Sequence, residues 1–180
     1  MIKNTIKLLR YYKSLGEKSF ASLEDDELHL VPGDRSNSIP IIVKHLWGNM
    51  RSRWTNFLTE DGEKEWRDRE DEFETTIKSR DEMLEKWEEG WKVFLDAIEN
   101  LKEEDLDKII YIRKEGHTVV DAIQRQLAHY CYHIGQIVFL AKMIKGDDWV
   151  SLSIPKGGSE EYNKQKFSSD KSDKHFTDEV

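Results

Sequence analysis

Two histidines four residues apart, His129 and His133, stand in the stretch His129-Tyr130-Cys131-Tyr132-His133, inside a run from Val119 to Met143 whose apolar residues recur with helical period. On a helix such a pair is separated by about 40°, so both imidazoles can reach one point. Val119, Ile123, Tyr130, Ile134, Ile137 and Ala141 fall on one apolar arc, with the histidines on its flank beside Ala122 and Leu140. They are expected to face inward, where both ring nitrogens need partners and a divalent metal ion would engage two rings at once. The competing reading is a pair of hydrogen-bonded or half-exposed histidines. A third candidate comes from an earlier run. His45 lies at the edge of the arc Ile39, Ile42, Val43, Leu46, Met50, Trp54 and Phe57, in a polar row with Asn49, Ser52 and Asn56. If the two helices are neighbours, His45, His129 and His133 could make a three-histidine site with a fourth position open, the feature that separates catalytic from closed structural metal sites. Otherwise they are three unrelated histidines. His29, His117 and His175 fall in expected loops or tail.

The elements that must position these side chains follow from periodicity. Ile2, Ile6, Leu9, Tyr12, Leu15, Phe20 and Leu23 predict a first helix, and Pro32-Gly33-Asp34 with Ser36-Asn37 predict a turn. Ser38 as N-cap and Pro40 in the first turn open a second helix, expected to end near Leu58. The charge-dense segment 59–73 reads as a connecting loop, with Trp66 and Phe73 as anchors. Ile77, Leu84, Trp87, Trp91, Phe94, Ile98 and Leu101 predict a third helix with an aromatic face, whose tryptophans, like Trp47 and Trp54, serve core or dimer contacts. A connector with a brief extended piece at residues 109–112 leads to Thr118, which caps the fourth helix with Asp121 three residues on. Residues 151–167 read as irregular. The expectation is an all-α four-helix bundle with up-down helices, a long loop between helices two and three and no sheet, forming one domain over residues 1–165 with a polar, flexible tail at 166–180.

Composition narrows the function. With 36 acidic against 28 basic residues the net charge is −8, and no dense Lys/Arg face is visible, which disfavours nucleic acid and anionic membranes as partners. No apolar run approaches the ~18 residues of a spanning helix. The single cysteine, Cys131, allows no internal disulfide, and the N-terminal residues lack a signal-peptide core, so a cytoplasmic setting is expected.

Residues 38–54, SIPIIVKHLWGNMRSRW, together with residues 125–143, RQLAHYCYHIGQIVFLAKM, resemble the DinB/YfiT-like superfamily over nearly the whole chain, within it a branch carrying GNMRSRW followed by a DGEK loop. The resemblance implies a metal-binding four-helix bundle, often a homodimer, in which one histidine of the second helix and an H-x-x-x-H pair of the fourth are ligands. Those positions here are His45, His129 and His133. Relatives include bacillithiol S-transferases, mycothiol-dependent maleylpyruvate isomerases and metal-dependent hydrolases.

The expected activity is therefore a divalent-metal-dependent enzyme on a small-molecule substrate. Thiol transfer with a low-molecular-weight thiol comes first and hydrolysis second; a non-catalytic metal-binding bundle serving as a stress or interaction protein is the alternative class. Zinc or nickel is the expected ion, although imidazole also suits copper and iron. Asn49, Gln126 and Gln136 lie close enough along their helices to orient a ligand or substrate, or else to satisfy buried neighbours. Arg53 and Arg125 could hold a substrate carboxylate, with surface pairing to acids as the competing role. Tyr130 is assigned to the core, Tyr132 to another face, and Cys131 to the side of the helix away from the histidines.

Overall fold

A computed structural model of the chain describes residues 2–33 and 35–179. It is mostly helical, with one small antiparallel sheet, in the order α1 (Ile2–Ala21), α2 (Ile39–Trp54), α3 (Arg80–Glu99), β1 (Ile109–Ile112), β2 (Glu115–Thr118), α4 (Val119–Lys145) and α5 (Ser159–Phe167). The helix starts follow capping chemistry. Ser79 Oγ accepts from the Glu82 amide and Thr118 Oγ1 from the Asp121 amide, while Ser38 precedes α2 without a side-chain cap bond and leaves the start to Pro40 in the first turn. α2 stops at Trp54, short of Leu58, because Asn56 turns into the left-handed region at φ 50°. Phe57 nonetheless stays buried, which is why the apolar period continued past the helix end.

The side-chain pairings set the helix directions. Along α2 and α3, Trp47 lies beside Gly90 and Trp54 beside Phe94, so these two helices run parallel. Arg10 of α1 pairs with Glu99 and Phe20 meets Trp87, so α1 and α3 are antiparallel. His45 meets His133 and Trp54 meets Tyr130, so α2 and α4 are antiparallel as well. The order is therefore up-down-down-up, not the alternating up-down arrangement expected. Parallel neighbours in sequence need a long crossover, and residues 55–79 supply it.

The aromatic surplus is spent inside. Trp87, Trp91, Phe94 and Tyr130 are fully buried and meet edge-to-face or tilted, with centroids 5.0–6.1 Å apart for the pairs in contact. Each such side chain contributes about 2–3 kcal/mol by burial. With Trp54 and Trp87 in the core, these rings are not available as dimer contacts. α2 is covered on nearly all sides, and even Lys44, His45, Asn49, Ser52 and Arg53 are buried along it.

Two further departures concern short elements. The extended piece is one arm of a hairpin in which Ile109 faces Thr118 and Ile112 faces Glu115. Its two-residue turn, Arg113-Lys114, has φ of 55° and 66°, and both amides donate to the Asp61 carboxylate at 2.8 Å, which holds non-glycine residues in a conformation they otherwise avoid. Residues 159–167, read as irregular, form α5. Farther on, Phe176 packs edge-on against Tyr11 and Asp178 accepts from Lys7 Nζ at 2.6 Å, so this part of the expected tail touches α1.

Candidate metal centre

α2 and α4 cross with their polar flanks together, and His45, His129 and His133 offer ligand atoms that all lie within 4.8 Å of one another. His129 Nε2 is 3.3 Å from His45 Nε2 and 3.1 Å from His133 Nε2. The outer nitrogens are occupied. His45 Nδ1 is 2.9 Å from Glu72 Oε2, and His133 Nδ1 is 2.8 Å from Gln136 Oε1. Each of these oxygens accepts, so each Nδ1 donates, and both Nε2 atoms turn bare lone pairs toward His129. A single proton on His129 Nε2 satisfies only one of them. Three nitrogens that together lack protons to share suit a cation, and the neutral, borderline-soft donor set suits a divalent metal. His45, His129 and His133 could thus hold a metal ion.

The electrostatics agree. Burial, then the neighbouring His133 and His45 rings and the guanidiniums of Arg67 and Arg125, push His129 down to about 3. His133 is lowered too, mainly by burial, against the raising effect of Gln136. Both rings are neutral near pH 7 and ready to ligate. Burial alone would raise the Glu72 carboxyl, but His45 and Arg67 hold it below its ordinary value.

The residue that orients His45 comes from the connecting loop. Glu72 is buried at 3% exposure, and Arg67 grips it with Nε at 2.7 Å and Nη2 at 3.0 Å. Lys44, one residue before His45, donates to the backbone oxygen of Asp71 and pairs with its carboxylate at 2.7 Å. Phe73 stacks on the His45 ring at 5.1 Å and 26°. Farther along, Ser52 Oγ donates to Gly62 O at 2.8 Å and accepts from the Lys64 amide at 3.1 Å. The polar row of α2 therefore has two tasks, His45 and Asn49 at the centre and Ser52 on the loop. Gly48 marks the arrangement. A Cβ there would sit 2.3 Å from Glu72 Oε1, so only glycine leaves room for the carboxylate against α2.

A cavity of about 400 Å³ opens over the three imidazoles. Asn49 and Gln126 line it without a hydrogen bond to a histidine; Asn49 Oδ1 accepts from the Tyr130 hydroxyl at 3.2 Å, and the buried Gln126 Oε1 has no hydrogen-bond partner among the described residues. Gln136 touches His133 but lies outside the cavity lining. Arg53 lines the cavity yet is buried, donating to Gly62 O at 2.6 Å and to Glu63 at 2.9 Å. Arg125 also lines it, with His117 at 3.4 Å and no acidic partner among the described residues. Tyr132, assigned to another face, is at the cavity wall beside His133. Trp66, named as a loop anchor, is 54% exposed. Cys131 is outside the cavity, and burial pushes its thiol up to about 11.

Sequence reasoning missed Glu72, Arg67, Arg69 and Arg113, which periodicity cannot find in a loop and a hairpin turn, whereas Phe73, expected only as a loop anchor, packs on His45. The one available signal was a glycine in the middle of an otherwise well-formed helix, at Gly48.

No helix among the described residues is long and apolar enough to cross a membrane. No curated protein and no solved structure matches the chain. Residues 1–158 match a family model described as a protein of unknown function, DUF1572. With most of its length in that match, the chain belongs to the DUF1572 family.

Proposed function

We propose that this chain is a divalent-metal-dependent enzyme of the DinB/YfiT-like bundle type, acting on a small molecule, with His45, His129 and His133 as ligands to zinc or nickel. The observation that carries this reading is the convergence of three Nε2 atoms while Glu72 and Gln136 occupy the Nδ1 atoms of His45 and His133 from outside. Held by neutral imidazoles, a divalent ion keeps its double charge and acidifies a thiol or water beside it, water reaching a pKa of about 7 in favourable zinc sites. The cavity gives a substrate access to the three rings, which a non-catalytic metal-binding bundle would not need.

Thiol transfer is the first choice. The chain's own thiol, Cys131, is raised to about 11 and faces away, so sulfur would have to enter as a low-molecular-weight cosubstrate. Hydrolysis is the second reading, favoured by the cavity's polar wall of arginines and amides, which admits water. The reducing cytoplasm suits a free cysteine. We also propose a homodimer, because α4 exposes Tyr132, Phe139 and Met143 in one line at 63%, 65% and 46%.

Cobalt substitution separates the two chemistries. Adding bacillithiol or a simpler thiol to the cobalt protein is expected to produce a sulfur-to-cobalt charge-transfer band that His133→Ala abolishes. A spectrum that ignores thiols but titrates near neutral pH would replace thiol transfer by hydrolysis.

A further inference from the structure

We propose that the cavity over the three histidines binds the oxyanion of a small anionic substrate, a carboxylate or a phosphate, through Arg69 and Arg125. The inference rests on the reading of this cavity as the substrate site. Five arginines line it, Arg53, Arg67, Arg69, Arg113 and Arg125, and no acidic residue does among the described residues. This is a cationic hollow in a chain of net charge −8. Such focusing of one sign in a cleft raises the local concentration of the opposite charge.

The five are not equivalent. Arg53, Arg67 and Arg113 are committed to the acids behind the wall: Glu63 takes Arg53 at 2.9 Å, Arg67 at 3.4 Å and Arg113 at 3.2 Å, and Glu72 takes Arg67 again. Two carboxylates serve three guanidiniums there. Arg69 and Arg125 have no carboxylate partner among the described residues. Arg69 lies over the Phe73 ring at 5.7 Å, and Arg125 meets only a nitrogen of His117. One comes from the crossover and the other from α4, so a ligand held by both would bridge loop and helix. The guanidinium fork matches carboxylate and phosphate oxygens, which is the geometry an ammonium lacks.

A second observation points to a ligand. Gln126, 3% exposed, lines the same cavity, and its Oε1 is buried without a partner. An unpaired buried acceptor is costly, and a small turn of this amide toward the cavity would let a substrate hydroxyl, amide or thiol donate to it. The volume of about 400 Å³ fits a small molecule and excludes a folded partner. The substrate class is thus a small oxyanion that also carries a donor.

Calorimetry on metal-free protein tests this without coordination to an ion. Succinate, inorganic phosphate and neutral succinamide are titrated into the parent chain, R69Q/R125Q, and K3Q/K171Q, which removes the same charge from exposed positions elsewhere. The parent and K3Q/K171Q should bind succinate, phosphate or both in preference to succinamide, and R69Q/R125Q should bind about tenfold or more weakly. Preference for succinate assigns a carboxylate substrate, and preference for phosphate a phosphate ester. Equal affinities in the parent and R69Q/R125Q, an equal loss in K3Q/K171Q, or no preference over succinamide would overturn the proposal. Metal content, measured on the same variants as purified and before the metal is removed, reports separately on the histidine site.

Discussion

Glu72 Oε2 stands 2.9 Å from His45 Nδ1, and this contact ties the crossover between α2 and α3 to the metal-binding face of α2. The carboxylate can only accept, so it fixes His45 in the tautomer whose Nε2 is free. It also neutralises Arg67, whose side chain is 2% exposed.

Glu72→Gln should therefore weaken metal binding by about tenfold to a hundredfold, as loss of an outer hydrogen-bond partner of a ligating histidine does. Competition with a chromophoric chelator measures it. Glu72→Ala should in addition destabilise the fold by about 3 kcal/mol, because Arg67 is left buried without its main partner. Unchanged affinity in both variants would show that His45 is oriented by something else.

Gly48→Ala sets two effects against each other. Alanine gains about 1 kcal/mol in helix propensity. The new Cβ would meet Glu72 Oε1 at 2.3 Å and Cδ at 2.8 Å, and that side chain cannot swing aside while Arg67 and His45 hold it. Steric displacement wins, and a net loss of about 1 kcal/mol with weaker metal binding is expected. A rise in Tm would contradict the packing described.

Much of this arrangement was legible beforehand. The H-x-x-x-H spacing and the polar row at His45 lie on helices, where a 3.6-residue period converts sequence distance into direction, and the three rings do converge. Glu72 was not legible, because residues 59–73 hold many charges and no period distinguishes the buried Lys64 and Glu72 from their exposed neighbours. The Arg113-Lys114 turn lacks the Asn-Gly chemistry that announces a hairpin, its positive φ values being secured by Asp61 from far away in sequence. Helix direction was misread for a related reason. Amphipathic faces say that α2 packs on α3 but not whether the intervening loop reverses the chain or carries it back.

Metal-free protein should lose stability in acid earlier than its carboxylates require. His129 is held down to about 3 from 6.5, and His133 is lowered as well. Below about pH 6.5 the unfolded chain takes up protons that the folded chain refuses, so stability falls as pH drops from there toward about 3. His129→Gln should flatten the profile of Tm against pH in that window. A parent profile that is flat between about pH 7 and about pH 5 would mean that these imidazoles are not buried as described.

The line of exposed side chains on α4 makes a prediction about assembly. Light scattering at micromolar concentration should give the mass of a dimer, and Phe139→Asp should shift it toward the monomer, because a charge cannot be buried in an apolar contact without large cost. A monomeric parent would remove the homodimer from the account.

The central claim is that His45, His129 and His133 hold one divalent ion together. Elemental analysis of protein purified without a histidine tag tests it most directly, with His45→Ala, His129→Ala, His133→Ala, His117→Ala and His175→Ala measured alongside. The account predicts close to one zinc or nickel per chain in the parent, its near-complete loss in each of the first three variants, and full retention in the last two. Equal metal content in His45→Ala and the parent, or no stoichiometric metal in any of them, would contradict it.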